Sequence, residues 1–176
     1  VHAQNKRIDS LRQVLQTGIE DTTRVNVLAN LSNIFSSSKP DTTLLLASEG
    51  LSLARKINFK IGQIRCLFPM ASVFNVSGNY PRSLELYLEA LKIAEEIGNE
   101  RVESMVLSSL ADTYFYSGDI RRSIDYSYRS IESDRKLGLT INMYASMMNL
   151  GDTYEKIGQL DSALILTKAA YDYFVK

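Results

Sequence analysis

The sequence predicts an all-α fold in which pairs of helices repeat along the chain. Gly78, Gly118 and Gly158 lie forty residues apart, and each one opens a short turn. Between the turns, apolar residues recur at steps of three and four, which is the spacing of an amphipathic helix. Similarity at a fixed period of this length is typical of stacked repeats that share one elongated core. We therefore expect a right-handed α-α superhelix whose function lies on a surface formed by the repeats.

The turn residues place about nine helices. Gly98 and Gly118 suit the left-handed conformation just past a helix end, and Asn99 and Asp119 are suited to cap the helix that follows. We expect a leading helix at about 6–16 and then pairs at 22–37 and 41–57, 60–77 and 80–97, 100–117 and 120–137, and 140–157 and 160–175.

Prolines mark two irregular places. No glycine separates the helices of the first pair, so we expect Pro40 to end one helix and Asp41 to cap the next. Pro69 lies inside an expected helix, where its missing N–H predicts a local distortion. The expected organisation is a leader and capping helix over 1–21 and one continuous solenoid over 22–176, with units at 22–57, 60–97, 100–137 and 140–175.

Composition disfavours several classes of function. Twenty basic residues balance twenty acidic ones, so the broad positive field that attracts nucleic acid or anionic membrane is missing. No apolar run reaches the roughly 18 residues that span a bilayer. Cys66 is the only cysteine and His2 the only histidine, and no glycine-rich phosphate loop occurs. We therefore predict a non-enzymatic chain with no cofactor, no metal, no nucleic-acid partner and no membrane span.

The repeats resemble the tetratricopeptide repeat (TPR) at its signature positions. These positions hold small residues where helices cross and aromatic residues that fill the wedge between them: Leu107, Leu110, Ala111, Tyr114 and Gly118 in the third unit, and Met147, Leu150, Gly151, Tyr154 and Gly158 in the fourth. The period is longer than the roughly 34 residues usual for the family, as in its forty-residue subtype. The usual tryptophan is replaced by Leu or Met. A HEAT-type array has a similar period but lacks this pattern.

The amino-terminal region resembles the start of exported sensor regions in bacterial, Bacteroidetes-type, TPR sensor histidine kinases. The resemblance rests on the segments 7–11 and 20–28 and on Pro40-Asp41. It implies a sensory or interaction region of a two-component signalling protein, exported or periplasmic and anchored to a membrane by another part. Val1-His2-Ala3 also suits the remnant of an export signal. The alternatives are a free-standing scaffold or adaptor, the TPR part of a transcriptional regulator, and a cytoplasmic location.

The TPR resemblance implies a concave groove that binds a protein, a peptide or a small ligand. Phe68, Met105, Phe115 and Met148 are its expected apolar anchors, and packing between helices is the alternative role for them. The expected lining is Asn26 and Asn33 in the first pair, Arg65, Phe68, Ser72 and Asn75 in the second, Met105, Ser108, Asp112 and Phe115 in the third, and Met148, Asp152 and Glu155 in the fourth.

Asp112 and Asp152 occupy the same position in successive units. An acid–base pair, a contact to a peptide or a cation, and locally hydrogen-bonded aspartates are three interpretations of this pattern. Catalysis is the least favoured, because the sequence implies no pocket that would perturb the two carboxyl groups.

The two ends of the solenoid should differ. The leading helix presents an apolar stripe of Ile8, Leu11, Val14 and Leu15 and is expected to cap the first pair. The last helix is expected to expose the positions on which a further unit would pack, and these suggest a further helix in the parent protein and a homodimer of this chain: Ala163, Thr167, Ala170, Tyr171 and Phe174.

Overall fold

The computed structural model of the protein describes Leu11, Gln13 and residues 21–175. This part of the chain contains eight α-helices and no strand: α1 Thr22–Phe35, α2 Pro40–Lys56, α3 Lys60–Val76, α4 Tyr80–Glu96, α5 Glu100–Ser117, α6 Ile120–Lys136, α7 Thr140–Lys156 and α8 Leu160–Phe174. The predicted all-α repeat fold is confirmed, and every boundary lies within two residues of its prediction. The predicted leading helix lies outside the described residues except for Leu11 and Gln13, which are both helical.

Glycines in the left-handed conformation close the turns between helices. Gly78, Gly98, Gly118, Gly138 and Gly158 have φ values between 63° and 87°. An added Cβ would meet nothing within 4 Å at any of them. Glycine is therefore required by the backbone conformation and not by crowding.

Short polar side chains complete the same turns. Asn99 accepts a hydrogen bond from the Val102 amide at 3.1 Å, and Asp119 accepts one from the Arg122 amide at 3.2 Å. Both predicted caps are confirmed. Asn58 has a φ of 53° in the turn between α2 and α3, where asparagine tolerates the conformation that glycine takes elsewhere.

The predicted start of α2 is wrong by one residue. Pro40 is the first residue of this helix, and Lys39 precedes it as the N-cap without a side-chain hydrogen bond. Proline suits the first helical position, because the N–H there has no helical partner and the ring fixes a helical φ. Asp41 therefore lies in the first turn, where its charge faces the positive end of the helix dipole.

Pro69 does not interrupt α3, which continues through it as one α-helix. Its missing N–H leaves the Arg65 carbonyl without the usual partner four residues later. The predicted local distortion stays a prediction.

The described residues divide into two compact units, with the boundary between Ile93 and Ala94. In the first unit, α1, α2 and α3 pack on one another. Gly50 allows close approach here, since an added Cβ would lie 2.7 Å from the Cys66 sulfur and 3.2 Å from the Leu28 Cβ. Cys66 is buried, and burial raises the pKa of its thiol to about 12. Leu11 packs against the cluster of Val27 and its neighbours, as expected for a capping segment.

In the second unit, α5 packs on α6, α6 on α7, and α7 on α8, while α5 also contacts α7. Val106, Leu110 and Leu150 form its most buried core. The core includes one carboxyl group, because Asp134 is buried and accepts a hydrogen bond of 2.5 Å from the Ser104 hydroxyl. Burial raises the pKa of Asp134.

The last helix does not present the whole predicted stripe. Ala163 and Ala170 are buried where α8 packs on α7, and Gly151 of α7 eases this packing, since an added Cβ would lie 3.1 Å from the Thr167 hydroxyl oxygen. Including these two alanines in the exposed stripe was wrong. Tyr171 and Phe174 are exposed as expected, and the homodimer stays a prediction.

Candidate functional site

The candidate site lies on α5 and α7, the first helices of the third and fourth pairs. Steps of three and four residues place each predicted set on one side of its helix. We call the surface the α5/α7 face, and it consists of Met105, Ser108, Asp112 and Phe115 of α5 with Met148, Asn149, Asp152, Glu155 and Lys156 of α7.

The apolar residues of this face are not all explained by packing. Met105 is 49% exposed and Met148 is 41% exposed, whereas Phe115 is half-buried. Exposed methionines are flexible and polarisable, and surfaces that adapt to several partners use them often. The alternative of packing between helices therefore applies to Phe115 in part and does not account for the two methionines.

Two contacts join the helices across the face. The Asn149 side-chain amide donates a hydrogen bond to an Asp112 carboxylate oxygen at 2.9 Å. Lys156 donates from its ammonium group to the Phe115 carbonyl oxygen at 3.1 Å, and the same ammonium lies 4.2 Å from the centre of the Phe115 ring. These contacts hold Asp112 and Phe115 in place beside α7.

Burial makes Asp112 an unusual carboxyl group. It raises the pKa of Asp112 from 3.8 to about 6, although the hydrogen bond from Asn149 acts in the opposite direction. The ionised Asp112 carboxylate is therefore less well solvated in the folded protein than it would be in water.

A pocket of about 190 Å³ opens beside Asp112. We call it the Asp112 pocket. Its lining is mostly polar with two aromatic rings, and it includes Asp112, Phe115, Tyr116, Ser127, Asn149 and Asp152. Three predicted lining residues, Asp112, Phe115 and Asp152, thus share a cavity that the sequence did not imply. The hydrogen bond from Asn149 agrees with the interpretation of Asp112 as locally hydrogen-bonded, and contact to a peptide or a cation stays a prediction.

The predicted lining residues of the first unit form a second set. Arg65 donates to the Asn26 side-chain oxygen at 2.9 Å and to that of Asn30 at 3.0 Å, so its guanidinium is engaged with α1. Phe68 packs edge-on against Tyr87, with ring centres 5.4 Å apart. This contact gives Phe68 a packing role.

The remaining members of this set differ in burial. Asn33 is exposed, and Ser72 and Asn75 are half-buried. The Asn75 side-chain oxygen is enclosed and accepts no hydrogen bond from the described residues. No described contact joins these three side chains to Arg65 or to its partners Asn26 and Asn30.

Sequence reasoning missed Asn30, Ser127, Asn149 and Lys156. Asn149 could have been found, because it lies one helical turn before Asp152, the repeat equivalent of Asp112. Lys156 could not, because it lies four residues after Asp152, a spacing that is equally compatible with an ion pair within α7. It reaches instead to the last turn of α5, where the Phe115 carbonyl oxygen accepts from both the Gly118 amide and the Lys156 ammonium, and the negative end of the helix dipole favours a cation.

The described residues contain no group of three His, Cys, Asp or Glu side chains placed to hold a metal ion. None of the described helices has the length and apolar character needed to cross a membrane.

The fold and this face define the class as an all-α helical-repeat protein. Residues 63–136 match the family model of the tetratricopeptide repeat. The match extends from α3 to the end of α6 and covers less than half of the chain. With the repeated helix pairs on both sides of it, the match supports a TPR protein. No curated protein sequence matches the chain.

Solved structures of similar fold extend over most of the chain. A Rap protein complexed with Competence and Sporulation Factor has a TM-score of 0.83 at 15% identity and covers 94% of this chain and 47% of its own. The apo form of RapI has a TM-score of 0.80 at 19% identity, and the match covers 93% of this chain and 46% of RapI. BtubC from P. vanneervenii has a TM-score of 0.78 at 16% identity, and the match covers 85% of this chain and 63% of BtubC. At these identities the likeness shows the fold alone, and this chain spans less than two thirds of each relative.

Proposed function

We propose that this chain is a non-enzymatic module that binds a protein or peptide segment along the α5/α7 face. The observation that carries the proposal is the combination of exposed Met105 and Met148 with a polar pocket on the same face. Repeat proteins use such faces of successive helices to follow an extended or helical ligand. The TPR match and the similarity to a Rap protein solved with a bound factor support this class of function.

We further propose that the module is the sensory or interaction region of a larger bacterial two-component signalling protein, with this part exported. Its support is the amino-terminal resemblance to TPR sensor histidine kinases. Binding would bias the packing of successive helices, and the parent protein would respond to that shift. The complete reading frame is the test. A membrane helix and a histidine kinase module support the sensor, and their absence supports a free-standing scaffold.

Selection from a random peptide library tests the binding proposal. Peptides recovered on the protein should lose about tenfold or more in affinity with Met148→Ser or Phe115→Ala, because truncation of an interface anchor commonly costs above 1 kcal/mol. Ile141→Ser is the matched control, since Ile141 is on α7 as well and is 64% exposed. Equal losses for the control, or unchanged affinity in both site variants, would place binding elsewhere.

A further inference from the structure

The Asp112 pocket contains polar groups that the described residues leave without a donor or a counter-ion. Ser127 is only 3% exposed and lines the pocket, yet its hydroxyl has no hydrogen-bond partner among the described residues. Asp112 has one donor, Asn149. Asp152 is exposed at the pocket wall and has no hydrogen bond or ion pair in the described part of the chain. Because Ser127 lines the pocket and has no protein partner, its hydroxyl is available to accept a hydrogen bond from a group that enters.

The charge of the pocket indicates which kind of group it favours. Two carboxyl groups, Asp112 and Asp152, line it, and none of its described lining residues is basic. The ammonium of Lys156 is nearby but is committed to the carbonyl and the ring of Phe115. With both aspartates ionised and Lys156 included, the local balance is one negative charge. A partly buried carboxylate without a cation carries a desolvation cost that an incoming cation offsets.

The size of the pocket indicates how much of the ligand enters. Its volume of about 190 Å³ is below the roughly 300–1,000 Å³ typical of small-molecule sites. A single side-chain end fits this space better than a whole cofactor or metabolite does. The rings of Phe115 and Tyr116 in the wall are suited to the apolar stem of such a side chain and to its charge.

We propose that the Asp112 pocket receives the cationic end of a lysine or arginine side chain of the peptide that binds the α5/α7 face. The inference rests on the proposed function and specifies the partner. Asp112 and Asp152 accept hydrogen bonds from the ammonium or guanidinium group, and the Ser127 hydroxyl accepts another. Hydrogen bonds between ionised groups are roughly twice as strong as neutral ones, so this contact would dominate the choice of residue at one position of the peptide.

A titration with blocked tripeptides tests the pocket directly. The probes are acetylated and amidated Gly-Lys-Gly, Gly-Arg-Gly and Gly-norleucine-Gly, and the NMR signal followed is the side-chain amide of Asn149. We expect a saturable shift with the lysine or arginine peptide and none with norleucine, which has the same stem without the charge. Equal shifts with norleucine, or no saturable shift with either basic peptide, would overturn the inference.

Variants assign the effect to the pocket. Asp112→Asn and Asp152→Asn should each lower the affinity for the basic tripeptide by about tenfold, the loss expected for one charge-assisted hydrogen bond. The exposed Asp161→Asn on α8 should leave it unchanged. A loss with Asp161→Asn as large as with the other two variants overturns the inference, because it reports only net charge. Asp152 is exposed, so its variant reports on the pocket independently of any change in folding stability at Asp112.

Two further measurements complete the test. One distinguishes a peptide side chain from a free cation, and the other distinguishes failure of this inference from failure of the proposed function. Butylammonium should bind at least about tenfold more weakly than the lysine tripeptide, because it lacks the peptide backbone. Equal affinity overturns the assignment to a peptide side chain. In the library selection, peptides that depend on Met148 but show no enrichment of Lys or Arg overturn this inference and leave the proposed function intact. A selective tripeptide response with no library peptide bound contradicts the proposed function alone.

Discussion

Replacing Asp112 by asparagine should stabilise the protein at neutral pH. Burial raises the pKa of Asp112 from 3.8 to about 6, so the folded chain holds the proton more tightly than the unfolded chain does. As the pH rises from about 4 to about 6, the unfolded chain releases this proton first, and stability falls. Well above about pH 6, the stability that depends on protonation of Asp112 is fully lost and no longer changes with pH. The asparagine keeps an oxygen that accepts from Asn149 and removes the charge.

The size of the effect follows from the pKa. Each pKa unit between the folded and unfolded chain corresponds to about 1.4 kcal/mol, which sets an upper limit of about 3 kcal/mol for the ionised group. Water at the mouth of the pocket screens part of this cost, so we expect a gain of about 1–2 kcal/mol in the free energy of unfolding.

Urea unfolding of the protein and of Asp112→Asn at pH 4 and pH 7.5 measures the effect. Comparing the two chains removes the contribution of other titrating groups, such as Asp134. We expect similar stability at pH 4 and a more stable variant at pH 7.5. A variant that is equal or less stable at pH 7.5, or a difference that does not change with pH, would refute the reasoning about burial.

Three other predictions concern single interactions. Ser104→Ala removes the donor to the buried Asp134 carboxyl group and should lower the free energy of unfolding by about 1–3 kcal/mol in urea titrations, with an unchanged value contradicting it. Gly118→Ala should cost roughly 1–2 kcal/mol in the same assay, because φ is 87° and no contact compensates. Cys66, with a pKa raised to about 12 by burial, should react with a thiol reagent only as fast as the protein unfolds, and rapid labelling of the folded chain would show that the thiol is accessible.

The helices and turns could be predicted from the sequence because their signals are local. A glycine at a helix end and an asparagine or aspartate after it, as at Gly118 and Asp119, set the conformation of a turn through their own sterics and hydrogen bonds. The error at Pro40 is of the same local kind, since proline is compatible both with the end of one helix and with the first position of the next.

The site could be predicted only in part, because it depends on which side chains meet between helices. Repeat position predicted a common face for Asp112, Phe115 and Asp152, and the three line one cavity. It could not show that Lys156 reaches the end of α5 rather than Asp152, since both contacts are compatible with helical spacing. The position of the Ser127 hydroxyl in the pocket could not be predicted either, because its burial depends on how α6 packs against α5 and α7.

Methyl NMR of the methionines tests the central claim most directly. The chain has five methionines, and two of them, Met105 and Met148, lie on the α5/α7 face. When a peptide selected on the protein is added, the methyl signals of these two should shift and saturate together at one affinity. The signals of Met70, Met143 and Met147, which are buried or half-buried, should change little. Saturable binding that leaves Met105 and Met148 unshifted would contradict the assignment of function to this face.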